Sequence, residues 1–514
     1  MKTDKKNNQN LKNDFLKNSL FNLFSTIINR IGALIFTIIL ARVLMPEGYG
    51  AYSIVLSTAM VFYTFTDLGI NQALLRYMSV ALSREEKKAN TYYRFLLKIK
   101  FVLTIVFSLL LLTFSYPISF YLFHNPGLFI PMIIASVYIF ILSFDSFYQH
   151  LFYPIGRFKY VGIRETVFQT LRICLVLIFI GFSYYVSGVF ISLIITSLAL
   201  IAYSLYYTKK LAPIIYKKSD EEIDTKKVLK FVGYLTIASI SSVFFSYIDS
   251  IMLGIFVSPE YVGYYRAAFG FILGIAGFFT FTNAALLPLF IKVNSSKKNH
   301  IINMSFKYLS IITIPSFFGL LVLGKYFIVL LYDYSYLPAT LPMYFLLILI
   351  FPTVMVNLLL TFFSAEEKPE IFAKLIILSC FINIILNYIL IKSFLPMSQL
   401  WATAGAAIAT VISWLFYFFA SLYFLKKEFN LSINFSSMIK PMIASMVMFG
   451  VLFYTLNFIK DMTPIIGAVE VIIGVIIYFV TLIIIKGVSI SELNNFKILF
   501  KNSKFKIPFL YISE

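Results

Sequence analysis

The chain has 514 residues, 60% of them hydrophobic and only 13% charged, with a mean hydropathy of +0.87. Soluble domains carry about a quarter charged residues, so this composition excludes a soluble fold and predicts an all-α polytopic membrane protein. The net charge is +20, and the two cysteines, Cys174 and Cys380, lie inside apolar segments, where they predict small buried residues rather than a disulfide framework or a metal cluster.

The first apolar run follows a polar, basic head, MKTDKKNNQNLKNDFLKNS, and is too long for the core of a cleaved signal. About fourteen runs recur, each near the ~20 residues that cross a bilayer as a helix. In chain order they occupy 18–41, 51–75, 99–122, 128–152, 163–183, 186–208, 231–257, 262–291, 305–331, 340–364, 371–392, 400–425, 439–459 and 464–486. Pro117 and Pro131 lie near the ends of the third and fourth, and Pro288 and Pro352 predict kinks in the eighth and tenth.

Basic residues test this map. Thirty-five of the 43 Lys and Arg fall in the head, the tail and alternate connections, including Lys100 and Arg164 at their borders. The other side holds Arg42, Arg266, Lys325, Lys392 and Lys460, while Arg30, Arg76 and Arg172 remain within runs. Cytoplasmic loops are enriched in Lys and Arg, so the split predicts a multi-pass protein of the cell membrane with both termini cytoplasmic. It also accounts for the charge without nucleic acid; the basic loops are expected to touch anionic membrane lipids. The opposite connections are short and leave no room for the catalytic groups of a membrane glycosyltransferase or polymerase. The expectation is a transporter, with no catalytic residues and no metal site.

The segment LMPEGYGAYS at 44–53 returns as VSPEYVGYYR at 257–266, both reading Pro-Glu-x-x-Gly-x-Tyr, 213 residues apart. Residues 184–210 likewise align with 401–427, bringing Gly188 onto Gly405, and GRFKY at 156–160 pairs with EKPEI at 367–371. Spans 1–6 thus correspond to spans 7–12, a parallel repeat of the kind transporters use to build a path between two halves. The predicted units are 1–208, a cytoplasmic linker at 209–230, 231–427, and two further helices with a tail at 428–514. The repeated punctuation reads as the outer turn of the first hairpin in each half, its tyrosine suited to the interfacial belt.

ARVLMPEGYGAYS followed by FTDLGINQALLRY resembles the N-terminal signature of polysaccharide transporters, the flippases for O-antigen, capsule and related lipid-linked sugars. IILSCFINIILNYILI and then WATAGAAIATVIS are similar to their eleventh and twelfth spans. One departure is visible: Gly156 opens the polar turn of the first half, whereas Glu366-Glu367 stand there in the second. The family belongs to the multidrug/oligosaccharidyl-lipid/polysaccharide (MOP) exporter superfamily. The resemblance implies two pseudo-twofold-related six-helix lobes in a V around a central cavity, plus two C-terminal helices. It implies a flippase that carries a polyprenyl-diphosphate-linked oligosaccharide from the inner to the outer leaflet by alternating access. Glycan polymerase and glycosyltransferases are then candidate partners, no cofactor is called for, and H+ or Na+ is a candidate coupling ion. The alternative is a cation-coupled multidrug or toxin antiporter of the same superfamily.

Arginine grips phosphate oxygens bidentately, and an ionisable group at mid-span faces an interior rather than lipid. Arg30, near the middle of the first span, is therefore the leading candidate, beside a polar stripe of Asn18, Asn22, Ser25 and Asn29. The expected cavity set is Arg30, Asn22, Asn29, Asp67, Asn71, Arg76, Asp249 and Arg266. Asp67 and Asp249 either pair with Arg30 or bind a coupling cation or proton; Arg76 either snorkels or binds; Arg266 either meets the head group or anchors the interface. Asp145 and Gln149 (with His150), Gln169 and Arg172, and Asn383 and Asn387 form a secondary set that holds sugar or ties helices together.

Overall fold

Hydrocarbon offers peptide groups no hydrogen bonds, so a chain this apolar crosses it as helices. The computed structural model describes the backbone of residues 2–488, apart from 183, 280–285, 288, 292 and 460–462. Side chains are described from 25 onward, apart additionally from 234, 235, 237, 238, 295 and 296. Asn18, Asn22 and Pro288 thus fall outside the described side chains, and the tail beyond 488 is likewise outside.

Among the described residues there are helices and turns and no strands. In order these are α1 (Lys2–Asp67), α2 (Ile70–Arg84), α3 (Ala89–Pro117), α4 (Phe129–His150), α5 (Phe152–Ile155), α6 (Phe158–Gly181), α7 (Tyr185–Leu211), α8 (Thr225–Phe256) and α9 (Pro259–Phe279). There follow α10 (Ser295–Tyr332), α11 (Thr340–Leu346), α12 (Ile350–Ala365), α13 (Pro369–Phe394), α14 (Gln399–Phe429), α15 (Ile439–Leu456) and α16 (Pro464–Ile484). Among the described residues, twelve segments are long and apolar enough to cross a membrane. The first of them, Ser25–Arg84, is 60 residues long and takes in the first two predicted runs. It bends sharply at Met45 (φ 59, ψ 173), just before Pro46, whose missing N–H suits the start of a new helix. α6, over the fifth predicted run, is not among the twelve; it carries Arg164, Glu165 and Arg172.

Proline effects are local. After Pro117 the chain widens into a π turn, Ile118–Leu122. Just before Pro352 the turn Leu347–Leu349 tightens to 3₁₀, because the proline cannot donate back to the preceding turn.

The two copies of Pro-Glu-x-x-Gly-x-Tyr pack against each other. A Cβ on Gly50 would strike the carbonyl of Pro259 and sit 2.8 Å from the amide nitrogen of Gly263. Reciprocally, a Cβ on Gly263 would strike the carbonyl of Pro46 and sit 3.2 Å from the nitrogen of Gly50. The contact is isologous, as expected of surfaces related by a twofold. Nearby, Arg42 donates to the carbonyls of Leu331 (2.7 Å) and Leu330 at the end of α10, and the buried Tyr336 hydroxyl donates to the Ala41 carbonyl at 2.9 Å. At this turn end, α1 is therefore stitched to α9 and α10. The second repeat match has its own structural counterpart: Gly188 presses on Phe179 at the end of α6, and Gly405 on Leu390 and Phe394 of α13. Small residues allow such close helix crossings.

Four sequence expectations need correction. The motif tyrosines do not sit in an interfacial belt: Tyr52 and Tyr265 are buried, Tyr52 against Phe190 and Tyr265 against Phe269, because the turns face each other rather than the bilayer surface. Cys174 is exposed while Cys380 is buried, since an apolar helix face in this class of protein is as much at home in lipid as in the core. Lys100 and Arg164 are not loop residues; both are buried in ion pairs. The turn at Glu366-Glu367 is not altered by the loss of glycine, because Glu367 adopts the same left-handed conformation (φ 57) as Gly156 (φ 72).

The segment 209–230 runs along the far end of the first half. Ile215 is fully buried with Ala89, Tyr93 and Phe147, Tyr216 packs edge-on against Tyr93, and Asn90 donates to the Ile215 carbonyl at 2.8 Å. α15 and α16 pack on α10, where the Tyr478 hydroxyl donates to the Ile311 carbonyl at 2.7 Å.

Candidate functional site

A cavity of about 550 Å³ lies between α1, the α4–α5–α6 wall and α9. Ser25, Thr26, Asn29, Arg30 and Thr37 line it from α1, Gln149, Tyr153 and Glu165 from the wall, and Gly270, Gly274 and Phe278 from α9. These residues lie toward the 4–5 connection, away from the sealed turn end. Arg30 reaches the backbone of α9 at Gly277, where any β-carbon would collide with its guanidinium.

Beside Arg30, Asn29 donates its side-chain amide to Glu165 Oε1 at 2.7 Å. One turn on, Gln169 donates to the same oxygen at 2.7 Å, and Arg172 in turn donates to Gln169. The Arg172 guanidinium is sandwiched between Phe36 and Phe168, with ring centroids 4.2 and 4.7 Å away. Glu165 is thus the hub of the cavity wall. Sequence reasoning passed over it: it adjoins Arg164, which was read as part of a cytoplasmic connection. The i, i+4 spacing of Glu165 and Gln169 was the signal that would have found it.

Asp67 does not meet Arg30. It pairs with Lys100 at 2.7 Å and accepts the backbone N–H of Asn71 at 3.3 Å, at the break where Leu68 and Gly69 turn left-handed between α1 and α2. Asn71 donates to Ser146 at 2.9 Å. Asp145 pairs with Arg164, so it ties α4 to α6, while its neighbour Gln149 lines the cavity and His150 caps onto the Ser146 carbonyl. Arg76 lies over the Phe231 ring at 4.5 Å, and Arg266 lies near the Tyr247 and Phe269 rings at 5.6 Å each. Neither is among the cavity-lining residues.

Asp249 does not meet Arg30 either. It is buried in the second half, and its carboxylate accepts from Tyr265 (2.6 Å), Thr410 (2.8 Å) and Asn387 (2.7 Å). The side-chain oxygens of Asn383 and Asn387 are buried without hydrogen-bond partners among the described residues. Asn383 and Asn387 were legible from their spacing; Tyr265 and Thr410 were not. Tyr265 is the tyrosine of the repeated punctuation, so the second turn supports this cluster as well as closing the end.

The profile of the family described as "Polysaccharide biosynthesis protein" matches residues 15–294. The probable low-salt glycan biosynthesis flippase Agl15 of Haloferax volcanii is 26% identical over 240 residues, 45% of this chain and 48% of that protein. The match therefore spans about half the length of that curated relative. An uncharacterized membrane protein of Methanocaldococcus jannaschii, MJ1068, is 24% identical over 412 residues, 74% of this chain and 77% of that one. Among solved structures, the lipid II flippase MurJ in an inward closed conformation superposes with a TM-score of 0.69 at 15% identity, covering 94% of this chain and all of that one. An inward-facing multidrug resistance MATE family transporter of the MOP superfamily gives 0.64 at 14% identity over 78% of this chain and 94% of that one. With its MurJ- and MATE-like helical fold, this multi-pass membrane protein belongs to the polysaccharide biosynthesis protein family.

Proposed function

We propose that the protein is a flippase moving a polyprenyl-diphosphate-linked oligosaccharide from the inner to the outer leaflet. In this reading the chain crosses the membrane fourteen times, as two six-helix lobes in a V and two added helices. Both termini are cytoplasmic and the sealed turn end faces outward. The observation that carries the reading is the cavity: a guanidinium, Arg30, set with hydrogen-bonding groups and one carboxylate, Glu165, lying between segments of the two halves. Arg30 binds the diphosphate, the polar wall of α4–α6 binds sugar, and the prenyl tail stays in lipid. Rocking of the halves breaks the Gly50–Gly263 contact and exposes the head group outside. The glycan passes to polymerase and glycosyltransferase partners.

Asp249 is the proposed coupling-ion site. Its carboxylate and the unpartnered side-chain oxygens of Asn383 and Asn387 make a buried, oxygen-rich set suited to a hard cation such as Na+, and a proton on Asp249 is the other option. When bound, the cation neutralises the Asp249 charge, and Tyr265 and Thr410 keep that carboxylate oriented.

The test is Arg30→Ala in cells whose surface glycan depends on this gene. Export stops, the protein stays in the membrane, and the lipid-linked intermediate accumulates on the inner leaflet; normal surface glycan refutes the assignment. Arg30→Lys is inactive if bidentate phosphate contact is needed and partly active if charge alone suffices. The Glu165 carboxylate in the cavity favours a second reading, a cation-coupled multidrug antiporter. Drug resistance conferred on a sensitive host, with surface glycan unaffected by deletion, would replace the first reading with it.

A further inference from the structure

The cavity contains two ionisable groups with opposite preferences, and only Arg30 has been given a task. Glu165 is a buried carboxylate that nonetheless lines the cavity. Its two neutral donors, Asn29 and Gln169, both bind the same oxygen, Oε1. Two donors fixed on one oxygen orient the carboxylate. Oε2 has no hydrogen-bond partner among the described residues. That oxygen is free to accept a donor from a molecule in the cavity. Asn29 adjoins Arg30, so this open acceptor lies beside the proposed diphosphate site. Gln149, Tyr153 and Ser25 complete the lining around it with neutral groups.

We infer that Glu165 selects the sugar next to the diphosphate: its open oxygen accepts from hydroxyl or amine groups of a neutral or amino sugar and repels an acidic one. The inference rests on the flippase reading above. A carboxylate accepts and never donates, so a hydroxyl-rich or amine-bearing ring satisfies it. A uronic acid or other anionic sugar would place like charges together in a site of low effective dielectric, where repulsion is strong. Arg30 does not relieve this, because the diphosphate engages it. Discrimination by an unpaired buried group is steeper than discrimination by shape.

The test uses the full chain in lipid nanodiscs and two synthetic probes, a polyprenyl diphosphate bearing N-acetylglucosamine and one bearing glucuronic acid, titrated by native mass spectrometry. Wild type is expected to bind the neutral probe at least tenfold more tightly. Glu165→Gln keeps the shape and the amide contacts, removes the charge, and brings the acidic probe to within about twofold of the neutral one. Arg30→Ala weakens both probes alike. Equal affinities in wild type, which need no variant to measure, or an unchanged preference in Glu165→Gln, overturn the inference while leaving the flippase reading intact. If wild type binds neither probe, both fall.

Discussion

Replacing Gly50 by alanine tests the sealed turn end directly. The added β-carbon meets the Pro259 carbonyl and lies 2.8 Å from the nitrogen of Gly263, well inside contact distance. Both opposing atoms belong to the backbone, so no side chain can swing aside. Overpacking of this sort costs about 1–3 kcal/mol, and here it is imposed only while the two turns touch. At about 1.4 kcal/mol per tenfold, a cost of 2–3 kcal/mol shifts the ratio of sealed to open molecules about 30- to 150-fold toward open. Spin labels at Val43 and Tyr334, exposed positions on either side of this end, report the shift as a longer electron–electron distance in pulsed resonance. Gly263→Ala does the same by the reciprocal contact. Gly188→Ala, whose clash stays within the first half, lowers thermal stability without lengthening that distance. Gly181→Ala, with nothing within 4 Å of the new carbon, changes neither. A Gly50→Ala protein whose distance distribution matches wild type refutes the claim that this contact holds the end shut.

Other outcomes follow from the same geometry. Arg42→Ala removes the guanidinium from the carbonyls closing α10 and shifts the Val43–Tyr334 distance in the same direction by about tenfold in population. Asp67→Asn strands the fully buried Lys100 and costs about 3 kcal/mol in thermal unfolding, most of it recovered in the Asp67→Asn/Lys100→Met double variant. Asp249→Asn abolishes any rise in melting temperature on replacing choline with Na+; a Na+ shift that survives the substitution removes Asp249 from the ion site.

The helices were readable in the sequence because an apolar run of sufficient length has only one way to cross a bilayer. The repeat was readable because Pro46 and Pro259 start new helices at matching places, each with a glycine one turn on, Gly50 and Gly263. What the turns do was hidden: a motif shows its own backbone, not the surface on which it rests. Charges were read in bulk as a guide to topology, and single charges were read poorly. Lys100 and Arg164 sit at the borders of apolar runs, where a residue one turn further in is indistinguishable from a loop residue until its partner, Asp67 or Asp145, is in view. Arg30 was conspicuous because it stands alone at mid-span, and Glu165 was missed because it stands beside an arginine. The Asp249 cluster draws on four helices, α8, α9, α13 and α14, and no local pattern predicts a meeting of that range.

The course of segment 209–230 has a mechanical consequence. With Ile215 buried in the first half and Thr236, further on, donating to the Leu68 carbonyl at 3.0 Å, the opening turns of α8 are bolted to the bundle they follow, while Asp249 on the same helix is embedded in the next. A helix clamped to one body at its start and to another near its finish is a torsion bar rather than a tether. If the two halves rock as proposed, the change of angle between them is absorbed as flexure along the dozen or so residues separating Thr236 from Asp249.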